Sequence, residues 1–553
     1  MPSREPDSAS AERIAALLAT YEAPEVRAAF LLCDRHDPAS VAYTIVSPDL
    51  STQDLTYGAL RAQSERLAAA FRDLGVVPGD RIATLMGKSR ALLVTLTAIW
   101  RVGAVHVPLF TAFAAPAIAM RLDASAAKLV ICDEDQRAKL DLASDPTARI
   151  VTTGQAQGQD LALSDLLAAI TPSPPPATLD GEAPLIEIYT SGTTGAPKGV
   201  IVPIRALAAF QAYAEFGLGL EPDELLWNCA DPGWGYGLYF GVLAALTTGV
   251  RGLMLEGGFK PETTLAVLER HGVTNFTAAP TVYRSLRASG LRPQRPLALR
   301  RASSAGEPLT PEVNEWALGV LGVEVHDHYG QTEAGMLINN HQHPTLRRPL
   351  KPGSMGQAMP GWSAVVLDAD SDKPAAVGAV GRVAMDLTQS PLAWFKGYVD
   401  APAKSAEKFT ADGRWYLTGD VGRVDEDGDF YFASRDDDVI IMAGYRIGPF
   451  EVESVILTHP AINECAVIAV PDAVRGEVLE AAAVLQPGHT PSDALTKAIQ
   501  TLVKTGFAAH AYPRQVHYLT ELPKTASGKV QRFVLRQQLA NRTRTDPVST
   551  SAR

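Results

Sequence analysis

The sequence predicts an α/β protein: a large N-terminal domain of several subdomains, built from layered sheets and helices, plus a small α+β C-terminal domain joined by a hinge. Three observations predict this. A chain of 553 residues is longer than one hydrophobic core organises. Short apolar runs of strand character alternate with helical spacings up to about residue 433, as layered α/β folds require. After the polar run Arg435-Asp436-Asp437-Asp438 the character changes, leaving a unit of roughly a hundred residues, the size of a small domain. The hinge is placed at Asp437, giving domains 1–436 and 437–553.

The elements follow in order. Ser8 or Ser10 is positioned to cap a helix carrying Ile14, Leu17 and Leu18. Leu60, Leu67, Phe71 and Leu74 recur at helical spacing. A Gly79-Asp80 turn leads into a strand over residues 81–85, then a helix over 92–100 and strands over 106–109 and 129–132. The Pro-rich segment 171–177 reads as an extended loop. A buried strand over 185–189 runs into a loop rich in Thr, Ser and Gly, and the apolar run 200–202 follows. Residues 425–429 form a hairpin-type turn between runs 422–424 and 430–432. The polar tail 543–553 has no apolar residue pattern to fold on, and disorder is expected there.

Composition narrows the function classes. Hydrophobic residues at 46% and charged residues at 20% describe a globular chain. A net charge of −11 weighs against nucleic-acid binding, which wants a basic surface. Cys33, Cys132, Cys229 and Cys465 lie far apart with no C-x-x-C pair, so reduced thiols in a cytoplasm are expected rather than disulfides or zinc. The N-terminus lacks the apolar core of a signal peptide. The most apolar stretch, 104–120, is too short for a membrane span and is interrupted by His106, Thr111 and two prolines.

The strongest chemical signal is Thr190-Ser191-Gly192-Thr193-Thr194-Gly195-Ala196-Pro197-Lys198-Gly199. Glycines let backbone N–H groups approach phosphate oxygens. The hydroxyls add donors and can meet a magnesium ion, and Lys198 adds positive charge. The spacing differs from the G-x-x-x-x-G-K-[ST] phosphate loop. A flexible linker would lack the apolar strands on either side.

This loop resembles the signature of the adenylate-forming superfamily, which holds acyl-CoA synthetases, adenylation domains of peptide synthetases and luciferases. Further motifs in family order extend the resemblance from about Thr56 to Arg536. Gly306-Glu307-Pro308 resembles the element that packs on adenine and ribose. In Asp327-His328-Tyr329-Gly330-Gln331-Thr332-Glu333, Tyr329 offers a flat face to adenine and Thr332 a hydroxyl to phosphate. Glu333, with Thr190, supplies hard oxygen suited to Mg²⁺. Asp420, in Thr418-Gly419-Asp420, offers a carboxylate to ribose hydroxyls. Arg435 and Arg446 match arginines near the nucleotide. Ser434 stands where the family usually has glycine beside the hinge. Lys529, in Pro523-Lys524-Thr525-Ala526-Ser527-Gly528-Lys529, matches the catalytic lysine, whose ammonium stabilises charge as a carboxylate attacks the α-phosphate.

The resemblance implies an AMP-forming acid–CoA ligase with ATP and CoA as co-substrates. The segment 228–237 resembles the acid-binding strand and turn, and assigns Trp234, Gly235, Tyr236, Ala305 and Gly330 to the acid pocket. Gly330 stands where acetate-specific relatives have a pocket-closing tryptophan, which favours a short- to medium-chain or branched fatty acid over acetate. An aromatic acid of benzoate type, transfer to a separate carrier protein, luciferase-like oxygenation and a non-enzymatic binding protein are the rival readings. Ala443, Gly444 and Tyr445 match the loop lining the pantetheine tunnel, and Arg475 matches a CoA contact.

Overall fold

A computed structural model describes residues 8–141, 148–168, 175–190, 198–435, 438, 440–442, 445–472, 476–508, 511–524 and 530–545. Its contacts divide the chain into two compact units. One comprises Met1–Ala364 with Met385–Tyr416, and the other Val365–Ala384 with Leu417–Arg553.

The larger unit contains two sheets. The first runs, edge to edge, Leu161–Ala162, Arg149–Thr152, Leu129–Cys132, Arg81–Leu85, Val105–Pro108, Pro184–Thr190 and Lys198–Pro203. Its neighbours pair in parallel except the last two, which form an antiparallel hairpin with Thr190 opposite Lys198. Ile82, Leu129, Val130, Ile131 and Ile186 are fully buried. Near-continuous apolar strands are what a parallel sheet covered on both faces demands.

The second sheet of this unit begins with Thr52–Thr56 at one edge, antiparallel to Val41–Val46. Arg251–Leu255, Leu225–Asn228, Asn275–Ala278, Arg301–Ala305 and Val325–Gln331 follow in parallel. Gly335–Asn339 then turns back antiparallel, followed by Ser354–Ala358. The helices Pro261–Arg270, Pro280–Ala288 and Pro311–Val320 each begin on a proline, whose fixed φ and missing N–H suit a first turn. Trp227, Phe276, Tyr283, Leu286 and Val313 meet in the core between these helices and the sheet.

Local chemistry sets several starts. Thr56 accepts from the Ala59 N–H and opens the helix Tyr57–Asp73. Ser89 accepts from the Leu92 N–H and opens Arg90–Arg101, whose residues 92–101 are all buried. Arg101 at its end is fully buried and paired with Asp34 at 2.7 Å. The first helix, Ser8–Tyr21, buries Ser10 along with Ile14 and Leu17, so Ser10 lies inside the helix rather than capping it.

In the smaller unit residues 417–424 and Phe430–Arg435 form the expected hairpin, with Asp420 opposite Arg435. The C-terminal sheet pairs Tyr445–Ile447 with Ile440–Met442, and Ile462–Asp472 with Gly476–Leu485. Gln515–Leu519 joins Gly476–Leu485 in parallel. The helices Pro449–Leu457 and Asp493–Gly506 cover this sheet through Val452, Ile456, Ile499 and Val503. Among the described residues no helix is long and apolar enough to cross a membrane.

Candidate active site

In open α/β sheets, ligand-binding residues gather beyond the carboxyl ends of the strands. The motif residues of the larger unit occupy that place. Thr190 ends Pro184–Thr190, residues 229–237 follow Leu225–Asn228, Gly306 follows Arg301–Ala305, and residues 327–331 end Val325–Gln331. Residues 191–195 lie outside the described residues.

One chain of contacts links the ends of both sheets. Thr190 lies opposite Lys198, and its Oγ1 donates to the Lys198 carbonyl at 3.5 Å. The Lys198 ammonium sits 4.9 Å from the centre of the Tyr398 ring, a cation–π contact. The Tyr398 hydroxyl donates to Glu333 Oε1 at 2.7 Å. A backbone bond from Val399 N–H to the Gly199 carbonyl holds Tyr398 in place. Tyr398 is absent from the motif reading; only an aromatic in Lys396-Gly397-Tyr398 marks it in sequence.

The phosphate and sugar elements are held locally. Gly306 has φ of 100° with nothing within 4 Å of a notional Cβ, so the backbone there is left-handed and open to close approach. Glu307 pairs with Arg284 at 2.6 Å. Gln331 donates to the Tyr329 hydroxyl at 3.4 Å and accepts from the Tyr416 hydroxyl at 2.8 Å. The Thr332 carbonyl accepts from the Tyr239 hydroxyl at 3.3 Å.

Asp327 and His328 point to opposite faces of their strand. Asp327 is buried beside Ser304, its partner in register. Asp327 Oδ1, Ser304 Oγ and Thr310 Oγ1 are buried oxygens without a hydrogen-bond partner among the described residues. Asp327 and Thr310 line a cavity of about 210 Å³ with Asn314 and Asn340. Burial pushes the Asp327 carboxyl up to about 8, so it can hold a proton at neutral pH. His328 is buried on the other face, with one ring nitrogen 2.7 Å from the Tyr213 hydroxyl and the other 3.0 Å from the Asn340 carbonyl. Its ring is committed within the fold.

At the acid end, the Trp234 ring packs 5.4 Å from both Phe110 and Phe113. The Arg121 guanidinium lies over the Phe113 ring, 4.1 Å from its centre. Asp231 accepts from Gly233 N–H at 2.7 Å and shapes the turn before Trp234. A Cβ on Gly235 would make ordinary contacts with Tyr239 and Thr332 at 3.4 and 3.6 Å. Gly330 corrects the expectation placed on it. A Cβ there would lie 2.2 Å from the Gly335 carbonyl oxygen and 2.8 Å from Met336, so the missing side chain leaves no cavity on that side. The hairpin backbone fills it, with a register shift between Tyr329 and Gly330.

In the smaller unit, Arg435 Nη1 donates to Asp420 Oδ1 at 2.9 Å, and Asp420 is buried. Asp437, Ala443, Gly444, Arg475 and Lys529 lie outside the described residues, as do the side chains of Tyr445 and Arg446. Among the described residues no three His, Cys, Asp or Glu side chains form a metal cluster. The four cysteines are unpaired, and burial pushes the Cys229 thiol up to about 12.

Residues 34–399 match the AMP-binding enzyme family and residues 451–529 its C-terminal domain. The chain belongs to the AMP-binding enzyme family. It is 34% identical over 529 residues to acetyl-coenzyme A synthetase of Bacillus subtilis (strain 168), covering 93% of this chain and 90% of that protein. The Brucella canis acyl-CoA synthetase structure is 40% identical, covers 98% of both chains and superposes with a TM-score of 0.75. The anthranilate CoA ligase AuaEII with anthranoyl-AMP is 28% identical, covers 94% of this chain and 99% of its own, and gives a TM-score of 0.84. This member of the family is an AMP-forming acyl-CoA synthetase, an ATP-dependent ligase that works through an acyl-adenylate.

Proposed function

We propose that the enzyme joins a short- to medium-chain or branched fatty acid to CoA. The observation that supports its first step is the gathering of Thr190, Lys198, Tyr398 and Glu333 through the 2.7 Å Tyr398–Glu333 bond and the 4.9 Å Lys198–Tyr398 contact. The Glu333 carboxylate and the Thr190 hydroxyl are hard oxygen donors, and Mg²⁺ is content with one or two such groups plus phosphate oxygens. They fit Mg²⁺, which when bound would offset phosphate charge. Lys198 and the 190–199 loop hold the phosphates. Asp327 with Ser304 and Thr310 offers oxygens to the polar edge of the base, and Tyr329 offers its face. Asp420, oriented by Arg435, accepts from ribose hydroxyls.

In this reading Lys529 stands at the α-phosphate while the acid's carboxylate attacks and pyrophosphate leaves. The C-terminal domain, 437–553, then turns about Asp437, and the face carrying Ala443, Gly444 and Tyr445 admits the CoA thiol, with Arg475 on the nucleotide end of CoA. The thiolate attacks the acyl carbonyl and AMP departs. Trp234, Gly235, Tyr236 and Ala305 line the acid site.

A benzoate-type acid is the second reading, favoured by the Phe110, Phe113 and Trp234 rings packed together at 5.4–5.7 Å. Pyrophosphate and AMP release measured with acids from acetate to octanoate and with benzoate, with and without CoA, tests both readings. Peak turnover at four to eight carbons supports the aliphatic one. A peak at benzoate replaces it, a peak at acetate removes it, and AMP release indifferent to CoA points to a carrier protein instead.

A further inference from the structure

Two tyrosine hydroxyls converge on the motif 327–333. Tyr398 donates to Glu333 at 2.7 Å. Tyr416, near the start of the strand Trp415–Val424, donates to Gln331 Oε1 at 2.8 Å. Both tyrosines are buried, and both rings pack on Phe395, with centres 5.1 Å away for Tyr398 and 5.9 Å for Tyr416. Phe409 completes the cluster, 6.0 Å from Phe395 and 6.0 Å from Tyr416. The backbone fixes Tyr416 as well. Phe409 and Tyr416 form an antiparallel bridge, and the Trp415 N–H donates to Thr410 Oγ1 at 3.1 Å.

The group that Tyr416 orients is an amide, with an acceptor end and a donor end fixed in one plane. With Oε1 held by Tyr416, the Gln331 Nε2 end turns to the Tyr329 hydroxyl and donates at 3.4 Å. Gln331 and Tyr329 are only half-buried. Side chains of that kind keep rotamer freedom unless something holds them, and ordering them when a ligand binds costs free energy. The restraint reaches Tyr329 at its hydroxyl, the end of the side chain farthest from Cα, so it limits the swing of the ring. Tyr416, locked in the aromatic cluster, passes its order to two side chains nearer the surface.

We infer that Tyr416 is a positioning residue for nucleotide binding: acting through Gln331, it presets the Tyr329 ring that receives the base. The inference rests on the proposed placing of the base on Tyr329. Tyr416 acts at one remove and touches no substrate. A ring already held at its tilt has less freedom to lose when ATP arrives, so the gain appears in affinity for ATP rather than in the chemical step. The bond from Tyr398 to Glu333 serves the metal end. One aromatic cluster thus carries two separate arms, one for the base and one for the metal.

The experiment measures equilibrium binding of Mg-ATP to the full-length enzyme without acid, where no turnover occurs, together with kcat at saturating ATP, acid and CoA. Tyr416→Phe keeps the ring in the cluster and removes only the hydroxyl. It is expected to raise the Kd for Mg-ATP about three- to tenfold, the scale of one hydrogen bond, and to leave kcat and the magnesium requirement as in the parent. Gln331→Met gives the same loss of affinity. The double variant is no weaker than either single one, since both break the same path. An unchanged Kd in Tyr416→Phe overturns the inference. So do losses that multiply in the double variant, a fall in kcat alone, which marks a purely structural hydroxyl, or a raised magnesium requirement, which assigns Tyr416 to the metal end. Tyr329→Leu separates the inference from the reading beneath it. An unchanged Kd there removes the base from Tyr329, and both fall. A weakened Tyr329→Leu beside an unaltered Tyr416→Phe removes the positioning role alone.

Discussion

The Tyr398 hydroxyl donates a 2.7 Å hydrogen bond to Glu333 Oε1, tying a loop near residue 398 to the turn after the strand Val325–Gln331, sixty-five positions earlier. Hydrogen bonds to charged groups are worth about 1.5–3 kcal/mol. Tyr398→Phe frees Glu333 to swing and removes that bond. The expected outcome is a loss of roughly ten- to a hundredfold in kcat/KM for ATP, with a higher Mg²⁺ requirement, measured as acid-dependent pyrophosphate release against magnesium concentration. An unchanged magnesium dependence contradicts a role for this bond in the metal site.

Gly330 admits no side chain. Because a Cβ would lie 2.2 Å from the Gly335 carbonyl oxygen, Gly330→Ala and Gly330→Trp both force the 331–335 hairpin to move. Each is expected to lower the melting temperature and to depress turnover with all acids alike. A selective shift toward acetate in a protein of unchanged stability would show that the hairpin gives way freely.

Acid pH destabilises the fold through buried histidines. Burial holds His326 and His341 at about 4, with Arg301, Arg347 and Arg348 adding repulsion. Unfolded histidine binds its proton near 6.5. Between about pH 6.5 and 4 the unfolded chain therefore holds more protons, and stability falls as pH falls through that window. Urea unfolding at pH 7 and pH 5 measures it, and His326→Gln is expected to flatten the slope.

Asp327 works in the opposite direction. Its folded value of about 8 stands above the unfolded value near 3.9, so the folded chain holds a proton the unfolded chain has released. Its contribution to stability declines as pH rises from about 4 to about 8. Asp327→Asn, which needs no proton to be neutral, is expected to gain stability over the parent as pH rises, read as the difference in melting temperature at pH 5 and pH 8. The same variant tests adenine recognition through its KM for ATP.

Lys529→Ala separates the two half-reactions. Adenylation is expected to fall by about a hundred- to a thousandfold, the scale of one lost charge-stabilising donor, while thioester formation from supplied acyl-AMP persists. Equal loss of both refutes the assigned role.

The α/β class, the strands at 81–85 and 129–132, the hairpin about 425–429 and the adenylate-forming motifs were all legible in the residues. They rest on local rules: apolar runs bounded by turns, and short motifs whose chemistry needs particular donors at fixed spacing. Three features depended on contacts distant in sequence. Tyr398 reaches Glu333 because Val399 bonds to Gly199, a pairing no spacing announces. Gly330 read as empty space because a sequence shows which side chain is missing but not what lies against the vacated side. Adjacent residues Asp327 and His328 stand together in one motif, yet strand alternation sends them to opposite faces, toward Ser304 and Thr310 on one side and Tyr213 on the other. The sequence by itself determined which chemical groups the enzyme carries and their order along the chain. Only the tertiary structure decided which of them meet and which way each hydrogen bond points, because both depend on strand register and on what packs across each face.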